Sequence, residues 1–306
     1  MFTRLLQHPI HFRYAFYALM LFSIVINGFV FENENNFYIL YIFSSLFLGI
    51  GFYSMANWAI TILTVLLVLC RFFLIPEPSH SFITFITYLM TYLLMTFISV
   101  GLMRNAQKIK EEQLSLTTAL SKALDSRDAY TSFHSVNTSK YAVEIAQKMK
   151  LHEDMIDSIR IGALLHDIGK IGIPEDILTK PGKLTKEEFN IIKNHPEVGH
   201  EMIKHVTSLK EKGILDIVLY HHERFDGKGY PLGLKGNEIP LPARIVALAD
   251  AFDAMTSTRV YRDPLPIDYV LNEIFCNKGT QFDPEVADIF LSQFPDFSGS
   301  FQEKVS

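Results

Sequence analysis

The chain has 306 residues, a formal net charge of −5 and a hydrophobic content of 49%. The slightly acidic balance argues against binding to a nucleic acid polymer, which favours a basic surface. There are only two cysteines, Cys70 and Cys276, so a disulfide framework and a thiolate metal site are both excluded.

The first third of the chain is strongly apolar. Residues 14–31 and 37–70 carry no charged side chain, and residues 78–103 contain His80 alone. As one helix, the middle block would be about 50 Å long, against a hydrocarbon core of about 30 Å. Two spans joined by a turn fit better. The sequence therefore predicts a membrane region over residues 1–103, with four spans at about 14–31, 37–54, 58–75 and 82–103.

The distribution of charge predicts an orientation for these spans. Basic residues flank the apolar region at both ends, and the loop between the first two spans has Glu32 and Glu34 but no Lys or Arg. By the positive-inside rule, both ends face the cytoplasm. We therefore expect a multi-pass protein of the inner membrane, with its N-terminus and its soluble part in the cytoplasm. The flanking residues are Arg4, Arg13, Arg104, Lys108 and Lys110.

Residues 104–128 are predicted to form one stalk helix, because they contain few helix breakers. Ile109, Leu116 and Ala123 recur every seven residues, with Leu120 between the last two. This spacing is compatible with a parallel homodimer through the stalk helix. A helix packed against its own domain would show the same pattern, so both interpretations stay open at this point.

Residues 129–295 are predicted to form an all-helical soluble domain, followed by a tail at 296–306. Thr185 and Glu188 have the spacing of a capping box, and Pro196 suits the first turn of a helix that would have His195 at its cap. No convincing alternating strand pattern appears. One turn-rich stretch, residues 223–242, interrupts the helices, and long loops of this kind are usually functional.

Seven potential metal ligands recur in five short strings of this soluble part. The pair His166–Asp167 ends an amphipathic helix and is expected to face the core, where a buried carboxylate and imidazole are costly unless a cation compensates them. A single core histidine is more often structural, and a single aspartate at a helix end is often a cap. The whole set instead favours bound metal and hydrolysis. The seven residues are His134, His166, Asp167, His195, His221, His222 and Asp250.

The strings around these residues resemble a known family. His166–Asp167 with Gly169–Lys170 resembles the HD superfamily of metal-dependent phosphohydrolases, and the run 221–240 is similar to the HD-GYP signature. The segments 243–256 and 279–284 fit as well, so the resemblance covers roughly residues 120–295. It implies an all-helical HD-GYP domain that hydrolyses cyclic di-GMP. With the predicted four-helix transmembrane region and stalk helix, the whole chain is expected to be all-α.

The resemblance also implies a site with two divalent metal ions, most simply iron or manganese. His134, His166 and Asp250 would complete the ligand set of one ion, and His195, His221 and His222 that of the other. Asp167 would bridge both ions. Three-metal relatives carry a glutamate four residues before the first histidine, where this chain has Tyr130. The family usually has an arginine where this chain has Asn137, and a small residue where it has Phe133.

The implied reaction is in-line attack of a metal-activated water on phosphorus, which yields linear pGpG or GMP. Lys170 is expected to hold a phosphate as a catalytic and substrate-binding residue. Arg259 and Arg262 are candidate phosphate clamps, although solvated ion pairs would fit nearly as well. Tyr230 would stack on guanine or pack inward to hold its loop, and the packing role is favoured.

Two other classes of function stay open. A catalytically silent receptor would bind cyclic di-GMP without turnover, but the complete ligand set argues against it. A different HD phosphohydrolase would act on another nucleotide, but the 221–250 loop argues against that.

Overall fold

The protein is described by a computed structural model over residues 9–27, 38–75, 81–127, 133–180, 182–257 and 264–295. The chain divides into two compact units, Met1–Glu112 and Gln113–Ser306. Within the described ranges the regular structure is helical, with only isolated bridges between Asp226 and Lys235 and between Lys278 and Phe282. The all-α prediction is confirmed for these residues.

Four helices contribute to the first unit: α1 (Pro9–Val25), α2 (Ile39–Gly51), α3 (Asn57–Leu74) and the start of α4 (Phe82–Asp125). By length and composition, α3 and α4 are long and apolar enough to cross a membrane, whereas α1 and α2 are apolar but shorter, with 17 and 13 residues. The break between α2 and α3, residues 52–56, overlaps the junction between the predicted spans 37–54 and 58–75. The four-span arrangement itself remains a prediction.

Arg13, which precedes the predicted first span, lies inside the first helix, since α1 begins at Pro9. Its Nε donates to the carbonyl of Gly51 at 2.7 Å, and its guanidinium lies 5.5 Å from the centre of the Phe52 ring. The Arg13 side chain therefore has polar and aromatic partners at the end of α2.

Small residues bring α2 and α4 close together. A Cβ placed on Gly49 would lie 2.5 Å from both Ser99 Cβ and the Thr96 carbonyl oxygen, so only glycine fits there. The Thr96 hydroxyl also lies 3.4 Å from the Ser45 carbonyl oxygen. Close approach through small and hydroxyl-bearing residues is typical of helices that pack within a membrane.

The predicted last span and the predicted stalk form one continuous helix, α4, of 44 residues. Its heptad positions are exposed: Ile109, Leu116 and Leu120 retain 47, 66 and 59% of their accessible surface, and Ala123 is exposed as well. Leu124, on another face, is buried. Within the described part of the second unit, the heptad positions Leu116, Leu120 and Ala123 are thus left uncovered.

The second unit places its helices around one main core. Ile145, Ile159 and Leu248 are fully buried there, together with Ile274 and Val286 from the C-terminal helices. A smaller cluster around Ile214 and Val218 packs beside it. The helices are α5 (His134–Lys148), α6 (Glu153–Leu165), α7 (Glu175–Leu178), α8 (Lys186–Lys193), α9 (His195–Ile203), α10 (Thr207–Glu211), α11 (Ile214–Tyr220), α12 (Leu241–Thr256), α13 (Ile267–Cys276) and α14 (Pro284–Leu291), with 3₁₀ turns at Ile168–Gly172 and Gly236–Glu238.

The local predictions for this unit hold with one exception. The capping box is present: the Glu188 amide donates to the Thr185 hydroxyl, and the Thr185 amide donates to the Glu188 carboxylate. The cap before α9 is Asn194 rather than His195. Asn194 also ends α8, so a single residue separates the two helices and His195 is drawn into the first turn of α9.

Candidate metal centre

Helix ends bring the seven predicted ligands together. His134 and His195 begin α5 and α9, His166 and Asp167 follow the end of α6, and His221 and His222 follow the end of α11. Asp250 alone lies inside a helix, α12. Because the packed helices converge at these ends, residues far apart in the sequence reach one location.

The side chains form two groups that match the predicted division of ligands. His134, His166 and Asp250 form one group; Asp167, His195, His221 and His222 form the other, with all potential ligand atoms of a group within 4.8 Å of one another. One oxygen of Asp167 lies 3.2 Å from His195 Nε2, and the other lies 3.3 Å from His166 Nε2. The Asp167 carboxylate therefore stands between the groups, with one oxygen toward each.

Backbone carbonyl groups fix the orientation of three imidazoles. The Nδ1 atoms of His166, His195 and His221 lie 2.7, 2.7 and 2.8 Å from the carbonyl oxygens of Ala163, Ile192 and Val218. Carbonyl groups at helix ends lack intrahelical partners, so they accept these protons. Each imidazole is then protonated at Nδ1 and has its Nε2 lone pair directed into the centre. This is the tautomer that binds a metal through Nε2.

The Nε2 atoms have the surroundings expected of metal ligands. His166 Nε2 is buried, with no hydrogen-bond partner among the described residues. His195 Nε2 and His221 Nε2 lie 3.2 Å apart, although both Nδ1 protons are already donated elsewhere. Two lone pairs facing each other are unfavourable unless a cation or a proton lies between them. Mixed imidazole and carboxylate donors of this kind suit iron, manganese or zinc.

Asp253 lies against a fourth histidine, His134, in a contact that the sequence did not reveal. Its Oδ2 lies 2.7 Å from His134 Nδ1, and its Oδ1 accepts a hydrogen bond from the Ser257 hydroxyl at 3.1 Å. The side chain is 1% exposed. The available signal was its position on α12, three residues after Asp250 and thus on the same helix face.

Replacing Asp253 by alanine should weaken metal binding by about 10- to 100-fold, because the His134 imidazole loses the group that fixes its tautomer. Asp253→Asn should lose less, since its amide oxygen can still accept the Nδ1 proton. The measurement is a Mn²⁺ titration followed by calorimetry. Equal affinities for all three proteins would show that Asp253 does not orient a ligand.

The electrostatics of the centre differ between its two groups of histidines. In the first group, the neighbouring carboxylates outweigh burial, so the pKa of His134 is raised to about 10 and that of His166 is raised above its usual value. Burial, together with the neighbouring histidines, holds the pKa of His221 well below its usual range, and burial lowers the pKa of His222 to about 3. Burial alone would raise the pKa of Asp167, but the Lys170 ammonium and the His166 imidazole outweigh it and hold that pKa well below its ordinary value. At neutral pH His221, His222 and Asp167 are therefore in the protonation state that binds metal.

Lys170 and Tyr230 both lie at this centre. Lys170 Nζ is 2.6 Å from Asp167 Oδ2, so this predicted phosphate-binding residue is paired with the carboxylate. The Tyr230 ring packs on His222 with 4.8 Å between ring centres, and Lys193 Nζ lies 4.8 Å from the centre of that ring. Three predicted positions, Tyr130, Arg259 and Arg262, lie outside the described residues.

A cavity of about 610 Å³ adjoins the centre. Asp250, His222 and Tyr230 line one part of it, and Arg224 and Glu273 line another. This volume is in the range of small-ligand sites, about 300–1,000 Å³. The cavity therefore offers room for a ligand with polar groups, directly beside the candidate metal ligands.

The turn-rich loop that forms one wall of this cavity is held by Glu223. Its Oε1 accepts hydrogen bonds from the amides of Leu232 at 2.7 Å and Gly233 at 3.0 Å, and the side chain is buried. A Cβ on Gly229 would lie 2.4 Å from the Arg224 amide nitrogen, so the backbone folds back on itself there. These contacts give the loop that carries Tyr230 a defined position.

Comparison with known proteins identifies the domain that contains this centre. A family model described as HD domain matches residues 110–286. The chain is 39% identical over 204 residues to a cyclic di-GMP phosphodiesterase response regulator of Xanthomonas campestris, with 65% of this chain and 54% of the relative covered. It is 45% identical over 165 residues to a cyclic di-GMP phosphodiesterase of Thermotoga maritima, with 54% and 45% covered.

The name of a third relative specifies a different substrate. The chain is 34% identical over 203 residues to a 3'3'-cGAMP-specific phosphodiesterase of Vibrio cholerae, with 66% of this chain and 38% of the relative covered. The chain thus spans about half or less of the length of these three relatives.

Proposed function

This chain belongs to the HD domain family, and from that premise we propose that it is a metal-dependent phosphodiesterase of the HD-GYP type that hydrolyses cyclic di-GMP. The observation that carries the proposal is the pair of ligand groups on either side of the Asp167 carboxylate, beside a cavity of about 610 Å³. The relatives named as cyclic di-GMP phosphodiesterases support the substrate.

The chemistry assigned to the residues follows from their positions. His134, His166 and Asp250 would hold one ion, and His195, His221 and His222 the other, with Asp167 shared. When bound, a pair of divalent ions supplies a Lewis acid and lowers the pKa of water. Lys170, whose Nζ lies 2.6 Å from Asp167 Oδ2, would hold a phosphate of the substrate. The Tyr230 ring shields His222 from solvent on the side where it packs.

The substrate is the first point to test. We expect the full chain, purified anaerobically in detergent, to bind two iron or manganese ions and to convert cyclic di-GMP to linear pGpG or GMP. His166→Ala serves as the inactive control. Binding of cyclic di-GMP without turnover would instead favour a silent receptor, and faster turnover of 3'3'-cGAMP or of another nucleotide would reassign the substrate.

We further propose that the chain is an inner-membrane protein with four spans and a cytoplasmic catalytic domain. The apolar composition of α1 to α4 supports this, as does the close packing of α2 against α4 through Gly49. Basic residues at both ends of the apolar region support the orientation. Cysteine labelling of the loop at 32–36 from the outside of intact cells would test it, and a label that reacts only after lysis would contradict it.

The exposed seam of α4 supports a homodimer through the stalk. Because Leu116 is 66% exposed and lies in a heptad series, a second copy would cover it. We expect Leu116→Lys to convert a dimer into a monomer in light scattering of the detergent-solubilised chain. Ser115→Lys, an exposed neighbour on the same helix, is the matched control. A wild-type monomer, or a dimer that survives Leu116→Lys, would contradict this assignment.

A further inference from the structure

Two side chains at the end of α4 are bonded to the segments that carry the candidate ligands. The first is Asp125, the last residue of α4, which is 4% exposed. Its two carboxylate oxygens accept hydrogen bonds from the Ser135 amide at 3.1 Å and from the Ser135 hydroxyl at 2.7 Å. Ser135 directly follows His134, so Asp125 holds the first turn of the helix that begins with this ligand.

The second side chain is Arg127. Its Nη1 donates to the carbonyl oxygen of Ile171 at 2.9 Å and of Lys170 at 3.3 Å, and its Nη2 donates to that of Ile173 at 3.2 Å. These carbonyl groups belong to the end of the 3₁₀ turn that directly follows Asp167. A planar guanidinium can reach three carbonyl groups at once, and an ammonium group cannot reproduce that geometry.

The 3₁₀ turn is also pressed against the start of α9. A Cβ on Gly169 would lie 1.9 Å from the carbonyl oxygen of His195 and 2.6 Å from the amide nitrogen of Gly199. The turn and the first turn of α9 are therefore in direct backbone contact. A displacement of the turn would be transmitted to His195, because close-packed backbone cannot absorb it locally.

We propose that Asp125 and Arg127 are positioning residues that set the affinity of the metal centre by fixing His134, Asp167 and His195 relative to the end of α4. One end of the helix thus holds both ligand groups, through Ser135 on one side and through the 3₁₀ turn on the other. Any shift or rotation of α4 at Asp125 changes the spacing between the two groups. This inference rests on the proposed function only in assuming that the centre binds metal.

A purely structural role is the alternative that must be separated from this one. If the two side chains only cap neighbouring turns, their loss lowers thermal stability and leaves the metal affinity of the folded protein unchanged. If they position ligands, the metal affinity falls even where the protein stays folded. Changes of residues that orient metal ligands typically cost about 10- to 100-fold in affinity or activity.

The test uses the full chain in detergent, titrated with Mn²⁺ alone, and compares Arg127→Gln, Arg127→Lys and Asp125→Asn. The matched control is Arg160→Gln, which removes another part-buried arginine of the same unit that is paired with Asp157. We expect each of the three variants to bind Mn²⁺ at least about tenfold more weakly, while Arg160→Gln binds like the wild type. Cyclic di-GMP turnover should show a lower kcat with KM little changed.

Wild-type Mn²⁺ affinity in Arg127→Lys and Asp125→Asn would overturn the proposal, whatever happens to thermal stability. If Arg127→Gln fails to fold, these two milder variants decide the outcome. A wild-type chain that binds Mn²⁺ but does not hydrolyse cyclic di-GMP would reject the proposed function and leave the affinity comparison intact. The two conclusions therefore fail separately.

Discussion

Asp167→Asn is expected to abolish tight metal binding and to lower cyclic di-GMP hydrolysis by about a thousandfold or more, because metal ions contribute several kcal/mol to transition-state stabilisation. The carboxylate stands between the two ligand groups, with oxygens 3.2 Å from His195 Nε2 and 3.3 Å from His166 Nε2. An amide has nearly the same shape but no charge. The readouts are metal content of the purified protein and turnover.

The fold should survive this change, since the asparagine side chain can donate to the lone pair of a neighbouring imidazole. Far-ultraviolet circular dichroism should therefore match the wild type. Asp216→Asn, at an exposed position of α11, is the control and should keep both metal and activity. Full activity in Asp167→Asn would contradict the assignment of Asp167 as the shared ligand.

Gly169→Ala is expected to destabilise the second unit by about 3 kcal/mol or more, because overpacking of this severity forces backbone to move. The new Cβ would lie 1.9 Å from the His195 carbonyl oxygen. For a domain of this size, that corresponds to a fall of roughly 6–12 °C in the melting temperature. Metal binding should fall with it, since the turn that follows Asp167 cannot keep its place.

Gly172→Ala, in the same 3₁₀ turn, is the control. It shows how much stability is lost when a glycine of this turn is replaced by alanine without a close backbone contact. The nearest atom to a Cβ there is Val198 Cγ1 at 3.3 Å, the end of a side chain that can yield. We expect a change in melting temperature of only a few degrees at most. Thermal scans of both variants, with and without Mn²⁺, measure the effect. Similar losses in both would show that the Gly169 contact is not what constrains the turn.

The candidate ligands could be picked out from the sequence because each lies in a distinctive local string. Their predicted division agrees with the way the side chains are grouped, in which His134 lies near Asp250 and His195 lies near His221. Asp253 was not recognised as an orienting group because its contact with His134 spans 119 positions. Arg127 was missed for the same reason, since its carbonyl partners lie 43 to 46 positions away.

The helix boundaries around the end of the apolar region were harder to predict from the sequence. Composition changes at Arg104, so the last span and the stalk were expected as separate segments. A change from apolar to polar residues does not break a helix, however, and residues 102–125 contain neither glycine nor proline. The result is the single helix Phe82–Asp125. Helix bounds depend on backbone preference, whereas the pattern of hydropathy indicates only where a membrane would lie.

The opposed lone pairs of His195 and His221, 3.2 Å apart, have a consequence for the lifetime of the protein. An ion that fills such a centre binds the folded state alone, so it stabilises the domain by about 2.7 kcal/mol at a hundredfold excess over its Kd. The fraction of molecules open to proteases then falls about a hundredfold. Cellular metal supply is thus expected to govern how much of this protein persists, in addition to how fast each molecule works.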